Sequence, residues 1–288
     1  MKISEMFAPG KQLFSFEIFP PKRDGSLEGV FRTVEELAVL EPAFISVTYG
    51  ASGSGARGNT VQIADAIKNR FGVEAMAHLS CINHDRDEID RILDSLGERG
   101  IENVLALRGD RVPDVEPKTD FAHASDLAAY IKSRGGFGIS GACYPEVHTE
   151  AENAVEDVLN LKKKVDAGAS HLISQLFFDN SAFYSFVERC RIAGIGVPIE
   201  AGIMPVTNAS QIQRMVTLCG ASLPAKFVRI ISRYGEDREA LEEAGIAYAV
   251  DQIVDLLTNG VQGIHLYTMN RPDVASRIIG AVGRLFKK

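Results

Sequence analysis

The sequence lacks the features that mark secreted, membrane-spanning and nucleic-acid-binding chains. Its four cysteines, Cys81, Cys143, Cys190 and Cys219, form no C-x-x-C pair, which argues against a metal site and against a disulfide framework. No stretch reaches the roughly 18 apolar residues of a membrane span, and the N-terminus has no apolar segment of the signal-peptide kind. Acidic residues (38) outnumber basic ones (31) without a basic stripe, so nucleic acid is not an expected partner. We expect a cytoplasmic protein with reduced thiols and no metal.

Short β-rich apolar runs alternate with longer helical patterns along the 288 residues. The pattern predicts eight strands, at 13–19, 43–49, 74–80, 103–109, 137–144, 171–178, 197–204 and 263–268. It predicts helices at 26–40, 60–70, 86–99, 125–134, 151–167, 181–193, 208–218 with an extension to about 258, and 271–286. Four of these helices have candidate N-caps: Ser26, Ser125, Ser181 and Asn208. Eight β-then-α units indicate an α/β fold, a single (β/α)8 TIM barrel spanning 1–288, with an open doubly wound sheet as the alternative.

A barrel of this kind carries its active site where the strands end and the βα loops begin. Polar or ionisable groups stand at seven of the eight predicted strand ends: Glu17, Thr48, His78, Arg108 with Asp110, Tyr144, Gln175 and Tyr267. The alternative is that every strand end eventually meets water, so that polar residues there are common. The set as a whole favours a functional site at this end of the barrel.

Glu17 is the strongest single candidate for chemistry. In the run FSFEIF, Phe14, Phe16 and Ile18 share one face of the strand, whereas Ser15 and Glu17 share the other. The wholly apolar face should meet the helices, which directs Glu17 into the barrel lumen. A carboxyl group there is poorly solvated, which favours its protonated form and suits a general acid near neutral pH. The alternative is a structural ion pair with an arginine across the barrel mouth.

Two further patterns are weaker by themselves. Asp110 closes the run ALRGD, where a glycine lets the backbone approach a ligand and the carboxylate can accept paired N–H bonds from a ring edge. The alternative there is an Arg108–Asp110 pair or a simple turn. On the helix after the fifth predicted strand, Asp157, Asn160 and Lys164 share one face, along which a phosphate or ribose could lie. The alternative for this face is an ordinary solvated helix flank.

A glycine pattern follows the second predicted strand. Gly53, Gly55 and Gly58 spell G-x-G-x-x-G, the dinucleotide fingerprint, between a strand and a helix. The strand ends near Tyr49, several residues before the first of these glycines, whereas the fingerprint needs an immediate tight turn. We therefore interpret 50–59 as a flexible active-site loop and keep the fingerprint as the alternative.

Nine segments together resemble the methylenetetrahydrofolate reductase family. They run in order from residue 15 to residue 271: SFEIFPPK, ISVTYGASG, AHLSC, VLALRGD, ACYPEVHTEA, DVLNLKKKVDAGA, SQLFFD, GIMPVTN and HLYTMNR. Such a series is far more specific than any single motif. The resemblance implies a flavoprotein barrel that passes a hydride from NADH or NADPH to non-covalent FAD and then to methylenetetrahydrofolate. The product, methyltetrahydrofolate, would supply methionine synthesis, and the family's habit implies a homo-oligomer.

The resemblance also implies roles for particular residues. Glu17 would be the general acid, and the folate would be bound by Asp110, Gln175, Gln211 and Arg271. FAD would be held by Thr48, Tyr49, Ala51, His78, Arg108, Gly109, Asp110, Ala124, Tyr144, His148, Ala151, Asp157, Asn160, Lys163 and Lys164. Two positions depart from the family's pattern, Met215 in place of a phenylalanine and His123 in place of a tyrosine, and both concern fine contacts.

Three other functions remain open from the sequence. They are another flavin barrel such as a proline dehydrogenase, a flavin-free pterin barrel that transfers a carbon unit, and a non-catalytic folate-binding protein. A flavin spectrum excludes the last two, and folate-dependent reoxidation of that flavin excludes the first. The residues do not discriminate NADH from NADPH.

Overall fold

The structure, a computed structural model, describes residues 1–21, 25–49, 53–111 and 116–286. Within these ranges only the backbone is described at 53–58, 211, 213–214 and 217–218. The four cysteines are free thiols. No helix in the described ranges is long and apolar enough to cross a membrane, and no group of three or more His, Cys, Asp or Glu residues there could hold a metal ion.

Eight strands form a closed parallel barrel in which each strand pairs with the next. They are β1 Leu13–Ile18, β2 Phe44–Val47, β3 Glu74–Ser80, β4 Asn103–Leu107, β5 Gly138–Cys143, β6 His171–Ser174, β7 Ile199–Ile203 and β8 Gly263–Tyr267. The predicted (β/α)8 TIM barrel is confirmed. The open doubly wound sheet is excluded because β8 returns to β1, in register from Leu13 with Gly263 to Glu17 with Tyr267.

Helices surround the barrel and connect its strands. They are α1 Leu27–Ala38, α2 Gly53–Asp65, α3 Arg86–Glu98, α4 Ala124–Arg134, α5 Ala154–Ala167, α6 Asn180–Ile192, α7 Ala209–Cys219, α8 Ala225–Tyr234, α9 Arg238–Thr258 and α10 Pro272–Val282. Short 3₁₀ helices occupy Ile3–Met6 and Gly283–Phe286, and a π-helical turn at Ala66–Arg70 continues α2.

The predicted loop at 50–59 is in part a helix. Because α2 begins at Gly53, the three glycines of the G-x-G-x-x-G pattern lie in its opening turns. Residues 50–52 lie outside the described chain. A dinucleotide fingerprint needs its glycines in the turn between strand and helix, so this arrangement excludes that alternative.

Two of the four predicted N-caps are confirmed and two are wrong. The side chains that accept the expected backbone N–H bonds are those of Ser26 and Asn208. Ser181 instead lies in the first turn of α6, because the carboxylate of Asp179 accepts its backbone N–H at 2.9 Å. Ser125 lies in the first turn of α4, whose N-cap is His123. Both N-caps therefore lie two residues earlier than predicted, at Asp179 for α6 and at His123 for α4.

The predicted extension of one helix from 208 to about 258 is wrong. The segment contains three helices, and α7 ends before Gly220, which adopts a left-handed conformation with φ +68°. Pro224 then stands at the N-cap of α8, where its missing N–H costs no helical bond. Asp237 caps α9 by accepting the backbone N–H of Ala240. Local turn chemistry therefore overrides the continuous apolar pattern.

The barrel has an apolar outer layer and a mixed lumen. Residues such as Phe16 and Ile18 face outward and are wholly buried against the helices. A second apolar cluster fills the lumen next to the N-terminal 3₁₀ helix; it contains Ile3, Phe44, Met76, Leu105 and Ile173. The backbone N–H of Ile3 donates to Asn103 Oδ1 at 2.9 Å, which ties this 3₁₀ helix to β4. The lumen therefore opens toward the C-terminal ends of the strands.

The close packing of α9 on the loop after β7 generates a stability prediction. A Cβ added at Gly245 would lie 1.7 Å from Val206 O, whereas one added at the exposed helical Gly29 would meet nothing within 4 Å. We expect Gly245→Ala to lower the free energy of unfolding by about 1–3 kcal/mol through overpacking. The matched Gly29→Ala should raise it by about 0.5–1 kcal/mol. Guanidinium titrations followed by circular dichroism measure both, and equal stabilities of the two variants would contradict the packing described.

Candidate active site

A cleft lies over the C-terminal ends of the strands. A cavity of about 430 Å³ there is lined by strand-end residues from Glu17 on β1 to Tyr267 on β8. A second cavity of about 330 Å³ adjoins it between the ends of β4 and β5 and the face of α5. The two share six lining residues, Arg108, Ala124, Ala142, Tyr144, His148 and Lys164. The cleft thus has a floor made by the barrel and a side wall made by one helix.

Glu17 lies at the head of the lumen, as its strand alternation predicts. Its side chain is nearly buried, and its Oε2 atom lies 3.5 Å from His78 Nε2 and 3.6 Å from His265 Nε2. None of the ion pairs among the described residues joins Glu17 to an arginine, so the predicted alternative of a structural arginine pair is not found. The carboxyl group therefore meets imidazoles and the cleft.

The groups nearest to Glu17 carry no permanent positive charge. Burial lowers the pKa of His78 to about 4, even though the nearby Glu17 acts in the opposite direction. Burial also raises the pKa of Tyr267 well above its ordinary value, and its hydroxyl donates to Ser174 O at 2.7 Å. At neutral pH both side chains are therefore neutral, and neither forms an ion pair with Glu17.

Arg108 and Asp110 do not form the pair that was one alternative for the ALRGD motif. The Arg108 guanidinium instead donates to both carboxylate oxygens of Glu150, with Nη2 at 2.8 Å from Oε1. This hydrogen bond lowers the pKa of Glu150 to about 2. Asp110 is exposed and lines the first cavity. Glu150 was missed by the sequence reasoning, because nothing in its local pattern indicates a partner 42 residues upstream.

Gly109 allows the backbone to fold closely under the cleft. Its φ is +88°, and an added Cβ would lie 2.9 Å from Ser80 Cβ. Any other residue would therefore be both strained and crowded at this position. The glycine brings the backbone between Arg108 and Asp110 to the surface of the first cavity.

The predicted face of α5 forms the side wall of the second cavity. The Lys164 amine is buried and donates to Ala142 O at 2.6 Å, and burial lowers its pKa. Burial raises the pKa of Asp157, which accepts the backbone N–H of His148 at 3.3 Å. Asn160 is exposed and also lines this cavity. The face is therefore partly built into the protein rather than being a solvated flank throughout.

Most of the predicted site residues line one cavity or the other. The first cavity includes Glu17, Thr48, His78, Arg108, Gly109, Asp110, Ala124, Tyr144, His148, Lys164, Gln175 and Met215, and the second adds His123, Ala151, Asp157, Asn160 and Lys163. Tyr49 lines neither, and its hydroxyl lies 2.9 Å from His84 Nε2. Arg271 also lines neither, since its guanidinium binds Glu242 and Asp273. Ala51 and the side chain of Gln211 lie outside the described residues.

A family model described as methylenetetrahydrofolate reductase matches residues 2–283. The chain belongs to the methylenetetrahydrofolate reductase family. Its relatives include the 5,10-methylenetetrahydrofolate reductase of Escherichia coli, 40% identical over 93% of this chain and 90% of that protein. The enzyme of that name from Pectobacterium carotovorum is 39% identical over 95% of this chain and 91% of its own length. Methylenetetrahydrofolate reductase (NADH) 1 of Arabidopsis thaliana is 38% identical over 98% of this chain but only 50% of its own length.

One solved structure resembles the fold at low sequence identity. It is a Clostridium thermocellum protein described as binding two copies of 5-methyl-5,6,7,8-tetrahydrofolic acid. The two chains superpose with a TM-score of 0.65 over 96% of each, at 13% identity. At this identity the likeness extends to the barrel fold alone.

The buried His78 generates a prediction for stability against pH. Its pKa is lowered from 6.5 to about 4 in the folded protein, so the unfolded chain takes up this proton first as the pH falls. The contribution of His78 to stability is therefore intact above pH 6.5 and is lost between pH 6.5 and 4. A shift of this size corresponds to about 3 kcal/mol at most.

We expect His78→Asn to flatten the fall in the free energy of unfolding between pH 6.5 and 4. The measurement is a series of guanidinium titrations on protein stripped of bound small molecules. His123→Asn is the matched control, because that side chain is 73% exposed. Parallel pH curves for wild type and both variants would refute the neutral, buried state of His78.

Proposed function

We propose that the protein is an FAD-dependent methylenetetrahydrofolate reductase. It reduces 5,10-methylenetetrahydrofolate to 5-methyltetrahydrofolate with NADH or NADPH, and so supplies methyl groups for methionine synthesis. The observation that carries the proposal is the carboxyl group of Glu17, which is nearly buried at the floor of a cavity of about 430 Å³. The family membership and the names of the E. coli and plant relatives support the reaction. We also propose that the protein is a cytoplasmic homo-oligomer, by analogy with other members of the family.

The lining of the cleft fits FAD. Lys163 and Lys164 on α5 and Arg108 on the β4 loop line the second cavity, and we propose that these cations face the diphosphate. Gly109 lines the first cavity, and His78 Nε2 is buried without an aligned hydrogen-bond partner among the described residues. The residues proposed to hold FAD are Thr48, Tyr49, Ala51, His78, Arg108, Gly109, Asp110, Ala124, Tyr144, His148, Ala151, Asp157, Asn160, Lys163 and Lys164. When bound, FAD supplies the redox chemistry as a two-electron carrier between nicotinamide and folate.

Glu17 supplies the proton that the folate reaction requires. Opening the five-membered ring of methylenetetrahydrofolate needs a proton on the departing nitrogen, and a carboxyl group with restricted access to water is suited to donate it. The group is 7% exposed, which leaves contact with the cleft but little contact with bulk water. Asp110 and Gln175 line the same cavity and are proposed to bind the pterin. Gln211 and Arg271 remain proposed folate contacts, and Arg271 would have to leave its pair with Asp273 to reach the cleft.

The proposal predicts a yellow protein with non-covalent FAD. Acid precipitation should leave the flavin in the supernatant, because no residue of the proposed site is expected to attach it covalently. Methylenetetrahydrofolate should reoxidise the flavin after reduction by NADH or NADPH, which distinguishes this enzyme from other flavin barrels. A colourless protein that does not take up added FAD would remove the proposal.

A matched pair of lysines on α5 tests the position of the flavin. Lys163→Gln removes an exposed cation that lines the second cavity, and we expect it to weaken FAD binding up to about fivefold. Lys162→Gln, one residue away, removes a lysine that pairs with Asp166 and lines neither cleft cavity, so FAD binding should be unchanged. Fluorescence titration of the apoprotein with FAD measures both dissociation constants.

Asp110→Asn is predicted to weaken folate binding more than flavin binding. The substitution keeps the shape of the exposed side chain but removes its charge, and it turns one acceptor toward the pterin N–H groups into a donor. Charge-assisted hydrogen bonds are worth roughly 1.5–3 kcal/mol, which is about one to two decades in folate affinity. Equilibrium titration with folate measures the change, and the bound FAD content serves as the internal control. An unaltered folate affinity would take Asp110 out of the site.

Glu17→Gln is predicted to separate the two half-reactions. Glutamine keeps the volume but cannot deliver a proton, so folate reduction should fall by about two to four decades. Reduction of the bound flavin by NADH needs no proton from position 17 and should stay near the wild-type rate. Stopped-flow absorbance measures each step separately. A purely structural Glu17 predicts instead a lower melting temperature, lost flavin and equal slowing of both steps.

A further inference from the structure

A chain of buried polar side chains leads from Glu17 across the lumen. His265 Nε2 lies 3.6 Å from Glu17 Oε2, and His265 Nδ1 lies 2.7 Å from Ser15 Oγ. The Ser15 hydroxyl donates to Glu200 Oε1 at 2.9 Å. Ser15, His265 and Glu200 are all 0% exposed and line neither cleft cavity. Of the side chains joined here, Glu17 is the one that lines the cleft, and the His265 ring also contacts that of Tyr267.

The strand register brings this chain together. Ser15 on β1 and His265 on β8 are directly paired, so their side chains enter the lumen side by side. Glu200 on β7 pairs with Gly263 on β8, and a Cβ at Gly263 would lie 2.6 Å from Glu200 Cγ. The missing side chain at Gly263 gives the Glu200 carboxylate its passage across β8 to Ser15 on β1.

The bond from Ser15 to Glu200 sets the direction of the hydrogen bonds along the chain, because Glu200 Oε1 accepts the Ser15 hydroxyl. On the far side of Glu200, His171 Nε2 lies 3.0 Å from Oε2 without an aligned hydrogen bond, and Ser140 Oγ lies 2.9 Å from His171 Nδ1. The single Ser15 proton is therefore committed to Glu200, and Ser15 accepts the N–H of His265 Nδ1. A neutral imidazole with its proton on Nδ1 presents a lone pair at Nε2, which lies 3.4 Å from Ser46 Oγ and 3.6 Å from Glu17 Oε2.

The other titratable groups that line the first cavity complete the surroundings of Glu17. The other titratable residues lining the first cavity are His78, Arg108, Asp110, Tyr144, His148, Lys164 and Tyr267. His78, with its pKa lowered to about 4, and Tyr267, with its pKa raised, are neutral at neutral pH. The cations of Arg108 and Lys164 are hydrogen-bonded to other protein atoms.

We infer that Glu200 is a positioning residue for the proton donor. Acting through Ser15 and His265, it holds the lone pair of His265 Nε2 toward Glu17, and this arrangement favours the protonated form of Glu17. Without Glu200 or Ser15, the ring proton is free to move to Nε2, where the acceptors are Ser46 Oγ and the Glu17 carboxylate, and an N–H directed at that carboxylate favours its ionised form. The inference rests on the proposed general-acid role of Glu17.

The test is the pH profile of the folate half-reaction in the FAD-loaded enzyme. At high pH the rate of folate reduction should fall as Glu17 loses its proton. Ser15→Ala and Glu200→Leu should each move this fall to lower pH by about one unit or more, because a hydrogen bond to a charged group has a free energy equivalent to a pKa shift of about that size. The pH profile of flavin reduction by NADH should not move. Glu200→Leu fills the site with an apolar side chain, and thermal unfolding confirms that each variant is folded before its kinetics are compared.

Ser140→Ala is the matched control, since it also removes a buried serine hydroxyl that contacts a histidine Nδ1 atom. It leaves Glu200 Oε1 as an acceptor, so its alkaline limb should coincide with that of the wild type. An unmoved limb in Ser15→Ala, or an equal shift in Ser140→Ala, would overturn the inference. Failure of the proposed function is distinguishable, because then Glu17→Gln would retain folate reduction whatever the behaviour of Ser15→Ala.

The tautomer of His265 gives a direct readout that does not depend on activity. In protein labelled with ¹⁵N-histidine, the His265 resonances, identified by their loss in His265→Phe, should show the proton on Nδ1. In Ser15→Ala they should show it on Nε2, while Ser140→Ala keeps the wild-type pattern. A wild-type ring protonated on Nε2 would reject the arrangement, and an Nδ1 proton that stays in place in Ser15→Ala would reject the role of the chain.

Discussion

Closure of eight parallel strands into a barrel sends alternate residues of each strand into a lumen packed with buried side chains. On β1 the outward set is Phe16 and Ile18, packed against the helices, and the inward set is Ser15 and Glu17. Because an apolar cluster fills the lumen next to the N-terminal 3₁₀ helix, polar groups in the lumen must bond to one another or to the cleft. The pairing of Ser15 and the open contact of Glu17 both follow from this constraint.

The same constraint divides the cleft into two chemically different parts. The floor is built from strand ends, where side chains such as Glu17 are held by the sheet and shielded from solvent. The wall is built from α5, where Lys163 and Asn160 are exposed and Lys164 is anchored to the backbone of β5. A rigid floor suits a proton donor that must stay in place, and a cationic wall suits the diphosphate of the proposed FAD. The two roles proposed for the site thus rest on different elements.

Alternation and the count of β-then-α units were sufficient to predict the barrel and the direction of Glu17. They depend on short-range periodicity, which a single sequence displays directly. The pair between Arg108 and Glu150 and the link from Ser15 to Glu200 were not predictable in this way, since they join residues 42 and 185 positions apart. Helix starts failed where a neighbouring side chain competed for the cap, as Asp179 did with Ser181. The segment from 208 to 258 failed because an apolar period does not reveal a turn at Gly220.

The far side of the lumen is filled by a carboxylate and an imidazole, those of Glu200 and His171, whose burial is unfavourable for folding. Glu200 and His171 are fully buried, and apolar side chains of similar volume would avoid the loss of hydration that two polar groups suffer there. What apolar side chains cannot supply is an acceptor for the Ser15 hydroxyl. With leucine in place of Glu200 alone, Ser15 and His171 would lose this neighbour, and the hydrogen bond between Ser15 and His265 would be free to reverse. The buried polar residues Glu200, Ser15 and His265 are therefore best explained by the proposed control of the proton on Glu17. The same few contacts then affect both the stability of the barrel and the acidity of Glu17.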